Sequence, residues 1–211
     1  MPPKSDIARI LSACDYIGIN PADFNLRNSI FLRDPRCSVH GIGHIYRTMI
    51  ACALLGEILQ KPRAGLLAFC GAYIHDLARM DDGIEPEHGK RAVDLFFRRF
   101  DALWERYSLT SDERLWVMQA VEQHSTREWM QPTDEGYDVM AILKDADALD
   151  RCRLGENCLD PKFLRYPRSR GLIEDIARYY DKTQWTTTDI AFMEFIHWKT
   201  SATVIRGYFS F

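Results

Sequence analysis

Apolar residues recur along this chain at helical rather than strand spacing. Prolines, glycines and polar clusters cut the pattern into helix-length pieces. Residues 39–59 carry it from Val39 to Leu59 and stop at Gln60-Lys61-Pro62. Residues 63–78 are apolar on most sides, through Leu66, Leu67, Phe69, Cys70, Tyr73, Ile74 and Leu77, which predicts a central buried helix. Asp81-Asp82-Gly83 and Pro86 mark residues 80–86 as a loop. Helical periodicity resumes over residues 87–107 through Ala92, Val93, Leu95, Phe96, Phe100 and Leu103. Thr110-Ser111-Asp112-Glu113 reads as a capping box that opens a helix running to about Ser125. Residues 129–136 form a connection, and residues 137–152 a further helix. Residues 153–172, with Gly155, Pro161, Pro167 and Gly171, read as irregular. Two last helices are expected over about 173–182 and 188–207. With no sustained strand pattern, repeat or linker, the expectation is one all-α domain over residues 1–211.

Composition narrows the functional classes. Hydrophobic residues make up 46% and charged residues 27%, an ordinary globular balance, and 211 residues can bury a full core without a staple. The net charge of −3 gives no global attraction to nucleic acid or an anionic membrane. A small phosphorylated ligand stays open, because local positive charge can outvote a mildly negative total. No apolar run is long enough to span a membrane. Residues 1–15 lack the apolar stretch of a secretory signal. Cysteines stand at 14, 37, 52, 70, 152 and 158 without a C-x-x-C pair. Cys52 and Cys70 fall in apolar helices as reduced core thiols. Together these features point to the cytosol.

The six histidines are 40, 44, 75, 88, 124 and 197. The sharpest pattern is Tyr73-Ile74-His75-Asp76-Leu77-Ala78-Arg79, a polar pair at the C-terminal end of a buried helix. Burying an imidazole and a carboxylate without partners costs roughly several kcal/mol. A metal ion compensates, and these ligand atoms suit Mn, Fe, Co, Ni or Zn. Adjacent residues point about 100° apart on a helix, so both reach one ion only near a helix end. His40 and His44, in Ser38-Val39-His40-Gly41-Ile42-Gly43-His44-Ile45-Tyr46-Arg47, share a helix face by their spacing. Asp147, in Lys144-Asp145-Ala146-Asp147-Ala148-Leu149-Asp150, lies between apolar neighbours, so its carboxylate is either buried with a partner or on a rim.

His44, His75-Asp76 and Asp147, in this order on successive helices, resemble the HD-domain superfamily of metal-dependent phosphohydrolases. The local contexts His-Gly-x-x-His-x-x-Arg, His-Asp-x-x-Arg and Asp-Ala-Asp-x-Leu-Asp match too, and the resemblance covers about residues 38–155. Residues 156–211 are then a C-terminal helical extension. The resemblance implies an HD-type helical bundle and assigns Asp147 as the ligand, with Asp145 and Asp150 standing behind the ligands. His88, in a His-Gly segment, and His124 complete the six-ligand set of two-metal members. There Asp76 bridges the ions, His88 and His124 serve the second ion, and His44, His75 and Asp147 the first. In single-metal members the two histidines instead line the pocket. One ion is expected, two are left open, and Mg joins the candidate metals.

The implied reaction is hydrolysis of a small phosphorylated substrate, a nucleotide or other phosphomonoester. Asp76 orients the attacking water or takes its proton. Arg47 and Arg79, one turn after His44 and His75, are candidate phosphate clamps, with Lys144 and Lys90 weaker ones. The competing readings are a di-iron HD-type oxygenase and a non-catalytic metal-binding regulatory module. The Gly-Tyr-Pro motif of cyclic-di-nucleotide phosphodiesterases and the Glu-Asp motif of alarmone hydrolases are not found. His40 is read as a helix-start residue or one behind the ligands, and His197 as packing. Arg165, Arg168 and Arg170 are read as a solvated loop, and the tryptophans as core or rim packing. A homo-oligomer is left open.

Overall fold

The computed structural model describes residues 4–26, 31–32, 39–155 and 158–173. Among them the regular elements are all helical, as the apolar spacing predicts. They are α1 (Lys4–Ile17), α2 (Ile42–Ile58), α3 (Pro62–Ile74), α4 (His88–Phe96), α5 (Asp101–Arg106), α6 (Ser111–Gln123) and α7 (Tyr137–Asp150). Short 3-10 turns join or follow several of them.

Helices α2 and α3 form the centre, and α7, α6 and α1 pack around them. The α2–α3 turn passes through Gln60 in the left-handed region, with φ 57°, and Pro62 opens α3. The two helices touch backbone to backbone. A Cβ on Gly65 would lie 2.7 Å from the Gly56 Cα, so this crossing requires glycine on both sides. Helix α1 was not anticipated. It buries Ile10, Ala13, Cys14 and Ile17, an i, i+3, i+4, i+7 stripe against the core.

Three expected boundaries moved, each for a local reason. Helix α2 starts at Ile42, because Gly41 is extended and His40 lies in the preceding turn, bound to Asp82. Helix α3 ends at Ile74 rather than Ala78. Leu77 N–H donates to Ile74 and Arg79 N–H to Asp76, tight i→i−3 bonds that end the regular ladder. His75 and Asp76 therefore stand at the helix end, where both can face one centre. The helix expected over 87–107 breaks into α4, a 3-10 turn (Phe97–Phe100) and α5. Trp104, fully buried, causes the break. Its indole donates to the Phe97 carbonyl at 2.8 Å, and the Phe97 and Phe100 rings flank it at 5.3 and 6.0 Å.

The capping box at the start of α6 is formed. Thr110 Oγ1 accepts from Glu113 N–H at 3.2 Å, and Glu113 accepts from Thr110 N–H at 2.9 Å. Arg63 of α3 adds a bidentate pair to the same carboxylate at 2.6 Å for each bond. Glu113→Ala is expected to lower stability by about 1–3 kcal/mol, because cap and pair are lost together. Equilibrium urea unfolding reads this, and an unchanged midpoint contradicts it.

Residues 158–173 are held onto α7 by Asp145, which is fully buried. Its carboxylate accepts from Arg165 N–H at 2.9 Å, Tyr166 N–H at 3.1 Å, Ser169 Oγ at 2.7 Å and the Arg165 guanidinium at 3.1 Å. Two expectations are thereby corrected. Asp145 anchors this segment rather than standing behind a metal ligand. Arg165 is a tether to Asp145 and Glu128 rather than a solvated loop residue. Arg168 and Arg170 are exposed, as a solvated loop requires, and bond to the carbonyls of Ile58 and Pro161. The helices expected beyond residue 173, with Trp185, His197 and Trp198, lie outside the described residues, as does Cys37. Cys52 and Cys70 are free and buried. Among the described residues no helix is long and apolar enough to cross a membrane.

Candidate metal centre

Five separate elements deliver side chains to one buried point. Helix α2 supplies His44, the end of α3 supplies His75 and Asp76, and the first residue of α4 is His88. The C-cap of α6 is His124, and α7 supplies Asp147. His44, His75, Asp76, His88 and His124 are each at most 7% exposed, while the Asp147 side chain is 30% exposed and marks the open side.

Each of the four imidazoles is oriented by its Nδ1. His75 Nδ1 lies 2.7 Å from the Ala72 carbonyl, His124 Nδ1 lies 2.6 Å from that of Val121, and His88 Nδ1 contacts that of Glu85. His44 Nδ1 lies 2.7 Å from Asp150. A carbonyl or carboxylate only accepts, so all four Nδ1 atoms carry the proton. The four Nε2 atoms then face inward. His44 Nε2 and His75 Nε2 are 3.1 Å apart, and His88 Nε2 and His124 Nε2 are 2.7 Å apart. Imidazole nitrogens crowded together beside carboxylates call for positive charge among them, a proton or a metal ion. Imidazole nitrogens and carboxylate oxygens are a donor set for a divalent transition ion, so the residues fit the group they are expected to hold.

The ligand atoms sort into two sets around Asp76. His44 Nε2 lies 3.2 Å from Asp147 Oδ1, and with His75 these form a group able to hold an ion. Asp76 Oδ2 faces this set, 3.3 Å from His44 Nε2 and 3.8 Å from His75 Nε2. Asp76 Oδ1 faces the other way, 3.0 Å from His88 Nε2 and 3.5 Å from His124 Nε2. His75, Asp76 and His124 also form a group able to hold an ion. One carboxylate thus presents an oxygen to each set.

Electrostatics agree with a cation-seeking centre. Burial would raise the carboxyl pKa of Asp76, but the surrounding imidazoles hold it well below the usual range. Burial is likewise outweighed at Asp147, which His44 holds at about 2. Burial pushes His75 down to about 3. Burial would lower His44 as well, yet Asp150, Asp147 and Asp76 hold it well above the usual histidine value. His44 therefore keeps a proton at neutral pH that a metal must expel. Metal uptake by stripped protein is expected to release about one proton and to tighten as pH rises toward the His44 pKa. A pH-indicator titration reads this, and uptake without proton release contradicts it.

The candidate phosphate contacts each meet protein groups, and three of the four lie beside the cluster. Arg47 pairs with Asp150, Nε at 2.8 Å and Nη2 at 3.3 Å, behind His44. Asp150 therefore stands behind His44, a candidate ligand. Arg153, three residues after it, also donates to it at 2.8 Å, a partner the sequence reading missed although i, i+3 spacing exposes it. Arg79 donates to the carbonyls of Asp81 and Gly83 at 3.2 and 2.7 Å and lies against the His88 ring. Lys144 donates to the carbonyls of Gln123 and Thr126, and burial and the nearby Arg165 charge pull its pKa below the usual lysine value. Lys90 is not brought to the cluster: it pairs with Asp94 on an exposed face of α4. His40 bonds Asp82 at 2.8 Å and sets its ring edge-on to that of His44, 5.5 Å between centroids.

The His88-Gly89 dipeptide has a steric reason. A Cβ on Gly89 would lie 2.3 Å from the Val121 carbonyl and 3.0 Å from His124 Nδ1. Only glycine lets α4 approach α6 closely enough for His88 to meet His124. Gly89→Ala is expected to push α4 away and cost about 1–3 kcal/mol by overpacking. Thermal unfolding reads the loss, and an unchanged midpoint contradicts it.

A helical protein with a buried histidine–aspartate centre of this kind falls in the class of helical domains whose side chains could hold a metal ion. Within that class, the HD domain family model matches residues 41–152, and the chain belongs to that family. Comparison with curated proteins and with solved structures gives no match.

Proposed function

We propose that this chain is a metal-dependent phosphohydrolase acting on a small phosphorylated substrate, a nucleotide or another phosphomonoester. The observation that carries the proposal is the convergence of His44, His75, Asp76 and Asp147 on one partly open point. Family membership supports it at the level of chemistry. His44, His75, Asp76 and Asp147 would hold one ion, and Asp76, His88 and His124 a second. A divalent ion there supplies an acidified water and positive charge for a phosphoryl oxygen.

The chain's own residues do the rest. The protonated Nδ1 atoms fix all four rings, so no reorganisation is needed when substrate arrives. Asp147, the most exposed ligand, marks the face that substrate approaches. Asp76, kept ionised by its imidazoles, is positioned to orient the attacking water or accept its proton. Arg47 acts indirectly, by holding Asp150 against His44. We place the protein in the cytosol, where the free buried thiols of Cys52 and Cys70 stay reduced.

Release of inorganic phosphate from a panel of nucleotides and phosphomonoesters, with Mn, Co, Ni or Mg, tests the proposal. Metal-dependent release from at least one class is expected. No release from any by metal-loaded protein overturns it. The second ligand set also favours a second reading, a di-iron oxygenase. Two bound irons with oxygen-dependent loss of substrate and no phosphate release would establish that one instead.

A further inference from the structure

We infer that Lys144 is a positioning residue for the second ligand set: its ammonium fixes the end of α6 that carries His124, and so sets His124 against Asp76 and His88. The inference rests on the metal-centre reading above. Lys144 Nζ lies 2.7 Å from the Gln123 carbonyl and 2.7 Å from the Thr126 carbonyl. These carbonyls bracket His124 in the chain. Glu128 Oε1 stands 3.6 Å from the same nitrogen. An ammonium has three donors and no acceptor; two are taken by these carbonyls, and Glu128 stands as an ion-pair partner. Two backbone carbonyls, rather than a substrate phosphate, hold the ammonium.

The physical logic is that of a cation at a helix C-terminus, where unsatisfied carbonyls concentrate negative charge. The Lys144 side chain is only 8% exposed, and burial of an ammonium is tolerated where such acceptors surround it. The other anchors near His124 are its Nδ1 bond to Val121, internal to α6 and its cap, and the Ser125 hydroxyl on the Pro86 carbonyl, which ties the helix end to the loop before α4. The first turns the ring on its helix and the second fixes the end toward α4, but neither ties it to α7. The bonds from Lys144 span 21 and 18 residues and tie that end to α7. Helix α7 also carries Asp147, three residues on. The helix that supplies a carboxylate to the first set therefore holds the terminus that supplies an imidazole to the second.

Metal-stripped full-length protein titrated with Co(II), followed by equilibrium dialysis and visible absorption, tests the inference. Wild type is expected to take up two equivalents. Lys144→Met should keep the tighter equivalent and lose at least roughly tenfold in affinity for the weaker one, the effect of removing a ligand's support. Lys144→Arg, which can still donate to both carbonyls, should restore the second equivalent and its absorption bands. If Lys144→Met does not fold, Lys144→Gln takes its place with the same two outcomes. Unchanged uptake with a raised KM for phosphoester would overturn the inference and assign Lys144 to substrate. Unchanged uptake with unchanged KM overturns it too. A wild type that binds one equivalent overturns it while leaving the proposed function standing. A wild type that binds none removes the metal reading itself.

Discussion

Asp76→Asn is expected to abolish both metal retention and turnover. The substitution keeps the shape of the side chain but removes its charge and turns one oxygen into an NH2 group. Because Oδ1 faces His88 and His124 while Oδ2 faces His44 and His75, either orientation of the amide aims a donor at one ligand set. No rotation rescues both. The loss of metal affinity should exceed the roughly 10–100-fold typical of removing an outer partner, since the residue is itself a ligand. Turnover should fall by more than that factor again, because the residue also handles the water proton. Circular dichroism should stay helical, as the packing of α2, α3 and α7 does not depend on this charge. Metal analysis and phosphate-release kinetics read the outcome, and full metal content with full activity contradicts it.

Asp150→Ala is expected to have the largest effect on stability. One carboxylate, 2% exposed, receives His44 Nδ1, the Arg47 guanidinium and Arg153 Nε. Its pKa is well below the usual range: burial opposes ionisation, but Arg47 and His44 outweigh it. Removal takes a charged partner from two guanidinium groups and releases the orientation of His44. Breaking a buried pair of this kind costs about 3–5 kcal/mol. The freed His44 ring should add a roughly 10–100-fold loss in metal affinity. Urea unfolding in excess chelator isolates the first effect, and metal titration at low urea reads the second. Asp150→Asn, which keeps an acceptor for one donor, should fall between. A variant with wild-type stability and affinity contradicts the account.

Much of this was legible in the chain. The apolar stripes of α2, α3, α6 and α7 follow helical spacing, and the capping box of Thr110 and Glu113 marks a helix start by chemistry that is local. The candidate metal-centre residues were legible because His-Asp at a buried helix end demands compensation and because their order resembles a known family. The α1 stripe of Ile10, Ala13, Cys14 and Ile17 was also present in the sequence and passed unread. What spacing did not reveal is which distant group each charged side chain meets. Asp150 meets His44 across 106 residues, and Asp145 meets Arg165 across 20. Spacing placed Arg47 and Lys144 near the ligands. Only the packing of α2 on α7 and of α6 on α7 turns them toward protein oxygens. The break after Phe96 was hidden for a similar reason: the apolar period continues through it, and the cause is a carbonyl captured by Trp104.

The central claim is that these histidines and aspartates bind a metal ion. Equilibrium dialysis of the stripped full-length chain against Mn(II), with metal read by elemental analysis, tests it most directly when the His75→Ala variant is run alongside. The account predicts at least one equivalent bound by wild type and none retained by the variant at the same free metal. Equal binding by the two proteins, or none by wild type, would contradict it.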